Sequence, residues 1–187
     1  MIPNAELSAV ADYFLAPELD EFSTRSLESA FGRPVSSDEL REVAHLILDI
    51  ESASMRRIKE VIASERSDPL DKIVTAFRMV GDNLARDPKI RAGVVIASRW
   101  SGAFPERRID PFRTWESFVA EALQESRRMG RIRQDIDVVE ASWIVVAAGI
   151  GAKELIAFRD AWADAGYILE RTARSALAPL RMNLAGS

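Results

Sequence analysis

Three Asp-Pro dipeptides, at 68–69, 87–88 and 110–111, divide the middle of this chain. Each places a carboxylate where it can accept the free N–H groups of a helix start. Each also puts a proline at the first helical position, where its missing donor removes no hydrogen bond. Behind the first pair, Leu70, Ile73, Val74, Phe77, Gly81 and Leu84 repeat at the 3–4 spacing of one helical face. No stretch of useful length alternates with period two, so the chain is expected to fold as an all-α protein.

The other elements follow from similar punctuation. A short helix fits 4–15, from Asn4 to the break at Pro17, and another fits about 23–31, ahead of Gly32. Pro34 and a capping box, Ser36 with Glu39, open a long helix over 37–64. Helices then start at Pro69 and Pro88. A loop over 102–111 precedes a helix from 111 to 129, which stops at Gly130. Asp137 caps a helix to Phe158, and a last one runs from Trp162 to Leu177. The 138–158 segment is apolar almost all round and carries Gly149 and Gly151. Such a helix is expected at the centre of the domain, at a subunit interface, or both.

Composition narrows the function. With no cysteine there is neither a disulfide framework nor a thiolate metal site. The start lacks a basic, apolar leader pattern. The most apolar run, Trp143 to Ala152, is shorter than the roughly 20 residues a bilayer requires, so a cytoplasmic protein is expected. Net charge is −4, but residues 1–50 hold ten acids against three bases, while the remainder has a small basic excess. A DNA-reading module works through Lys and Arg on phosphates, and the front of this chain has the opposite sign.

Catalytic and cofactor motifs are absent: no H-E-x-x-H, no P-loop, no dinucleotide-binding glycine pattern and no G-x-S-x-G elbow. No metal and no cofactor are expected. The single histidine, His45, reads as a partly buried helix residue without a partner. Glu121 and Glu125 share a helix face and read as solvated. The aromatics are more suggestive. Trp100, Phe104, Phe112, Trp115, Phe118 and Trp143 lie on or beside three helices whose packing would bring them into one volume, as in pockets for apolar ligands. Ser98, Thr114 and Gln124 could orient such a ligand. The same residues could equally be core filling.

Two long segments, SDPLDKIVTAFRMVGDNLARDPKIRAGVVIASRW and DPFRTWESFVAEALQESRRMGRIRQDIDVVEASWIVVAAGIGAKELI, resemble the ligand-binding domain of TetR-family regulators. The likeness is strongest to the γ-butyrolactone receptors of actinomycetes. It rests on the Asp-Pro-capped helices, the PFRTW opening, the GRIRQDID linker and the small-residue GIGAKELI helix, in that order, and covers roughly 36–180. It implies an all-helical homodimer whose last two helices build a four-helix interface, with Ile150, Lys153, Glu154, Ala157, Trp162 and Leu169 as candidate contacts. It also implies a pocket for a small hydrophobic ligand, with Trp115 in the position of the family's lactone-facing tryptophan. Trp100, Trp143, Phe112, Phe118, Ser98 and Gln124 are the further candidates.

Relatives carry a helix-turn-helix DNA reader ahead of the long helix. Here only about 35 residues precede it. Pro34 interrupts the expected turn, and Asp38 and Glu39 stand where a recognition helix would carry bases. We therefore read 1–35 as a degenerate, acidic remnant of that reader, 36–180 as the ligand-binding and dimerisation domain, and 181–187 as a frayed tail. The functions that follow are a ligand-binding regulator acting without direct DNA contact, possible also through a heterodimer with a full-length relative; an enzyme cyclising or isomerising a hydrophobic metabolite, with Glu116, Glu121, Arg91 or Arg99 as acid or base; and a conventional repressor.

Overall fold

A computed structural model describes residues 4–16, 28–31 and 33–182. Among them are eight α-helices: α1 (Asn4–Leu15), α2 (Glu28–Phe31), α3 (Ser37–Ser64), α4 (Pro69–Arg86), α5 (Pro88–Arg99), α6 (Pro111–Arg128), α7 (Val138–Phe158) and α8 (Ala165–Leu177). Most of the helix expected at 23–31, with Gly32 as its stop, lies outside the described residues, and so do 183–187 of the expected tail. The chain forms two compact units. One comprises residues up to Arg57 together with Arg86–Asp110. The other comprises Ile58–Ala85 together with Pro111 onward.

The predicted caps at Asp68, Asp87, Asp137 and Ser36 form. Asp68 accepts the Leu70 N–H and Asp87 the Lys89 N–H, both at 2.9 Å, while Asp137 accepts from Val139 and Glu140. The capping box closes in both directions. The Glu39 N–H donates to Ser36 Oγ at 3.1 Å, and the Ser36 N–H donates to Glu39 Oε2 at 2.9 Å. Those bonds, the backbone one first and then one from Arg33, hold the Glu39 carboxyl below its usual range.

In the first unit α1 packs along α5. Val10 and Phe14 of α1, Leu40, Val43 and Ile47 of α3, Ile96 of α5 and the loop residue Phe104 form one buried cluster. Gly93 of α5 allows the close approach of α3, because a side chain there would meet Glu51 Cβ. That approach leaves Glu51 half-buried, and loss of water pushes its carboxyl above the usual range.

In the second unit α7 packs against both α6 and α8. Gly81 of α4 abuts the backbone of Ala165 and Gly166 at the start of α8, and a Cβ added there would stand 2.6 Å from Gly166 Cα. A side chain at Gly149 would lie 2.5 Å from the Phe77 ring, whereas Gly151 faces open space. The chain end is tied in as well. Ile132 and Arg181 form an isolated antiparallel bridge, Met182 donates to Arg131 O at 3.0 Å, and Arg181 reaches Asp71 at 3.3 Å. Residues 181 and 182, expected to fray, are thus hydrogen-bonded into the linker.

The expectation for α7 is met on one side only. Val138, Ala141, Ser142, Val145, Val146 and Ile156 are buried, while Val139, Trp143, Ile144, Leu155 and Phe158 are exposed. With 21 residues and a mean hydropathy of 1.5 over its most apolar window, α7 is long and apolar enough to cross a membrane by length and composition. Its apolar stretch is therefore longer than the Trp143–Ala152 run suggests.

Candidate functional site

The candidate ligand residues divide between the two units. Phe112, Trp115, Phe118 and Gln124 stand on α6 and Trp143 on α7, all in the second unit. In that unit α6 turns Trp115 edge-on to two rings, Phe77 of α4 at 6.5 Å between centroids and Phe118 at 5.8 Å. Edge-to-face pairs at these separations are favourable beyond the area they bury. Phe77 is buried against α7 at Gly149, and Trp115 and Phe118 are half-buried. Phe112 is 41% exposed, and Gln124 is exposed. Trp143 is 62% exposed on the outer side of α7.

Ser98 and Trp100, at the end of α5, belong to the first unit. The Ser98 hydroxyl donates to Val95 O at 3.2 Å, and Trp100 is half-buried against that unit's core. Phe77, which joins the aromatic cluster, was legible in the sequence only as one member of the apolar stripe of α4.

Of the candidate dimer contacts, Glu154 and Ala157 are exposed and Ile150 and Trp162 half-buried. Lys153 pairs with Glu154 at 2.6 Å. Leu169 is only 3% exposed and fills the unit's own interior, so the large exposed apolar residue on α8 is Tyr167. On α7 the stripe Trp143, Ala147, Ile150, Gly151, Glu154, Leu155 and Phe158 follows helical spacing along the outer face, and Phe158 is 87% exposed.

The front of the first unit carries its own polar network. Arg33 donates to Glu39 Oε1 at 2.9 Å, lies 4.0 Å from Glu6 and rests over the Phe31 ring. Beside it is a cavity of about 90 Å³, floored by Val10, Val35 and Leu40. That is well below the roughly 300–1,000 Å³ of pockets for drug-sized ligands. Arg41 is paired as well, reaching both oxygens of Glu106 at 3.2 Å. Glu28, Asp38, Glu42 and Asp49 are exposed.

His45 corrects the expectation of a partnerless histidine. Its Nε2 stands 3.2 Å from Glu106 Oε1, and its Nδ1 stands 3.4 Å from Arg107 Nη1. Arg107 also donates to His45 O at 2.9 Å and to Asp49. The His45 ring meets buried Phe104 edge-on at 5.1 Å. These partners come from a turn some 60 residues away, which no helical period can reveal. No group of three or more potential metal ligands clusters among the described residues.

No protein-family model and no curated protein sequence matches the chain. Solved structures do. CprB, a TetR-family protein of S. coelicolor A3(2), superposes with a TM-score of 0.74 at 17% identity, over 98% of this chain and 90% of that one. The fold is that of the TetR-family regulators. A γ-butyrolactone receptor described as ArpA-like matches at a TM-score of 0.66 and 19% identity, over 92% of this chain and 96% of that one. SmeT, the repressor of a Stenotrophomonas maltophilia multidrug efflux pump, matches at 0.68 and 15%, over 100% and 94%. The TetR fold is thus shared with proteins of different named roles, and fold alone does not choose among them.

Proposed function

We propose that this chain is a dimeric, ligand-binding regulatory protein on the TetR fold, one that takes a small hydrophobic molecule beside Trp115 and does not itself read DNA. The observation that carries the ligand reading is the half-buried Phe77–Trp115–Phe118 cluster, an aromatic wall on α6 and α4 of the kind that lines apolar ligand sites. The likeness to a γ-butyrolactone receptor favours a lactone with an alkyl chain, or a related metabolite, as the ligand class. For Trp143, its exposure supports a place on the subunit face.

The exposed stripe of α7, with Tyr167 of α8, supports a four-helix dimer interface. Contiguous apolar surface of this kind is rare on a protein that stays alone. Gly151 lies open on that face, so a second helix can come close. A dimer with a full-length relative would use the same face and would carry one DNA reader.

Charge supports the DNA-silent part. Arg33 and Arg41 are tied to carboxylates on a front that exposes further acids. The neighbouring acids on this front would repel the phosphate backbone.

The test is tryptophan fluorescence and native mass spectrometry with a 2-alkyl γ-butyrolactone, followed by titration with promoter DNA. A dimer that binds the lactone, with affinity lowered at least tenfold by Trp115→Ala and unchanged by Trp143→Ala, is the expected result. Equal affinity in Trp115→Ala would remove the site. Salt-dependent DNA binding at micromolar affinity would remove the DNA-silent role.

A further inference from the structure

The aromatic cluster of the second unit has an outer and an inner end. Phe112, at the start of α6, is 41% exposed, Trp115 and Phe118 are half-buried, and Phe77 of α4, edge-on to Trp115, is only 7% exposed. Access to water therefore falls from Phe112 to Phe77. A molecule that reaches Trp115 from solvent meets Phe77 at the inner end.

Phe77 is fixed there twice. Its ring lies against the bare backbone of α7: a Cβ at Gly149 would stand 2.5 Å from Phe77 Cε1 and 3.2 Å from Cζ. One turn further along the same face of α4, Gly81 abuts Ala165 and Gly166 at the start of α8. The ring is thus backed by α7 and its helix by α8, both through main chain. Atoms packed in this way do not yield, because no side chain between them can rotate aside. The neighbouring buried residues of α4, Ile73, Val74 and Gly81, carry no donor or acceptor side chain. The inner end therefore suits the alkyl end of a ligand and not its polar end.

We propose that Phe77, seated on Gly149, is the stop that sets how long an alkyl chain the ligand can carry. The inference rests on the proposed site beside Trp115 and assigns its selectivity. A rigid apolar stop discriminates by size. Each methylene that finds room raises affinity roughly fourfold, and the first that does not fit must displace packed atoms. Gly149 acts through Phe77 and is a positioning residue, since a side chain there would drive the ring from its seat.

The test uses the full chain and three probes, 2-butyl-, 2-hexyl- and 2-octyl-γ-butyrolactone, with affinity read from tryptophan fluorescence. Phe77→Leu removes the far part of the ring and should raise the octyl-to-butyl affinity ratio at least fivefold. Phe77→Met gives the same test with an unbranched side chain should the leucine variant fold poorly, and urea denaturation reports which variants fold. Gly149→Ala should weaken all three lactones. Adding Phe77→Leu to it should recover the butyl affinity, because the smaller side chain makes room for the methyl group. A mere loss of stability would lower all affinities together and change no ratio. An unchanged ratio in both Phe77 variants, with lactones still bound by the unmodified chain, would overturn the stop and leave the site beside Trp115 in place. Unchanged affinities in Gly149→Ala would overturn the role of the seat. No binding of any lactone by the unmodified chain would remove the ligand reading, and the stop with it.

Discussion

Around its apolar core the first unit ties its elements together with charged side chains at the surface: Arg33 with Glu39, Arg41 with Glu106, Arg107 with Asp49 and the His45 carbonyl. In the second, elements approach through glycine and aromatic rings: Gly81 against the start of α8, Gly149 against Phe77, and Phe77 against Trp115. The difference has physical consequences. Ion pairs at a surface are each worth about 0–1 kcal/mol and respond to salt and pH. Backbone-to-backbone packing is nearly indifferent to both, but has no room for an added methyl group. The surface contacts of the first unit therefore respond to solution conditions, while the glycine contacts of the second hold a fixed shape.

The largest expected effect sharpens this contrast at the outer face of α7. Leu155→Glu combined with Phe158→Glu places charge on side chains that are 57% and 87% exposed, so the protomer should still fold. Analytical ultracentrifugation should then show the proposed dimer weakened by at least 100-fold. An unchanged dimer would move the interface elsewhere.

Next comes Gly81→Ala. Its new methyl group would collide with the Ala165 backbone, which cannot move aside as a flexible side chain could. Overpacking of this kind costs about 1–3 kcal/mol, and the better helix propensity of alanine returns about 1 kcal/mol of that. Urea denaturation should show a net loss. A gain would mean that the α4–α8 contact yields easily.

The smallest effect probes the first unit through Glu51. Burial raises its carboxyl in the folded chain, so the folded state binds the proton more tightly than the unfolded one. That burial penalty is absent at low pH, appears as pH rises through the usual carboxylate range, and is complete above the raised folded value. Glu51→Gln should therefore raise Tm slightly at neutral pH, and the gain should fade on acidification. A gain that persists unchanged at low pH would assign it to packing instead.

The helix starts at Ser37, Pro69, Pro88 and Val138 were legible in the sequence to within a residue, because Asp87, Asp68, Asp137 and the Ser36–Glu39 box act within a single turn of chain; the last helix, expected from Trp162, begins at Ala165 after a 3-10 turn. The all-α class followed from spacing alone. The TetR resemblance followed from the order of local motifs, and the superposed structures bear it out at the level of fold. Side-chain partners across elements were not legible. Helical period says that Phe77, Trp143 and Leu169 are apolar and face one side, but not that Phe77 meets Trp115 edge-on, that Trp143 faces outward, or that Leu169 is buried inside its own unit. His45 shows the same division. Its place on α3 is a property of local sequence, but its bond to Glu106 exists only because folding returns residues 104–107 to that helix. Local hydrogen bonding and periodicity are encoded over about four residues, so the sequence by itself determined the helices and their caps. Which rings, charges and glycines meet depends on how helices distant in sequence cross, and tertiary structure alone decided that.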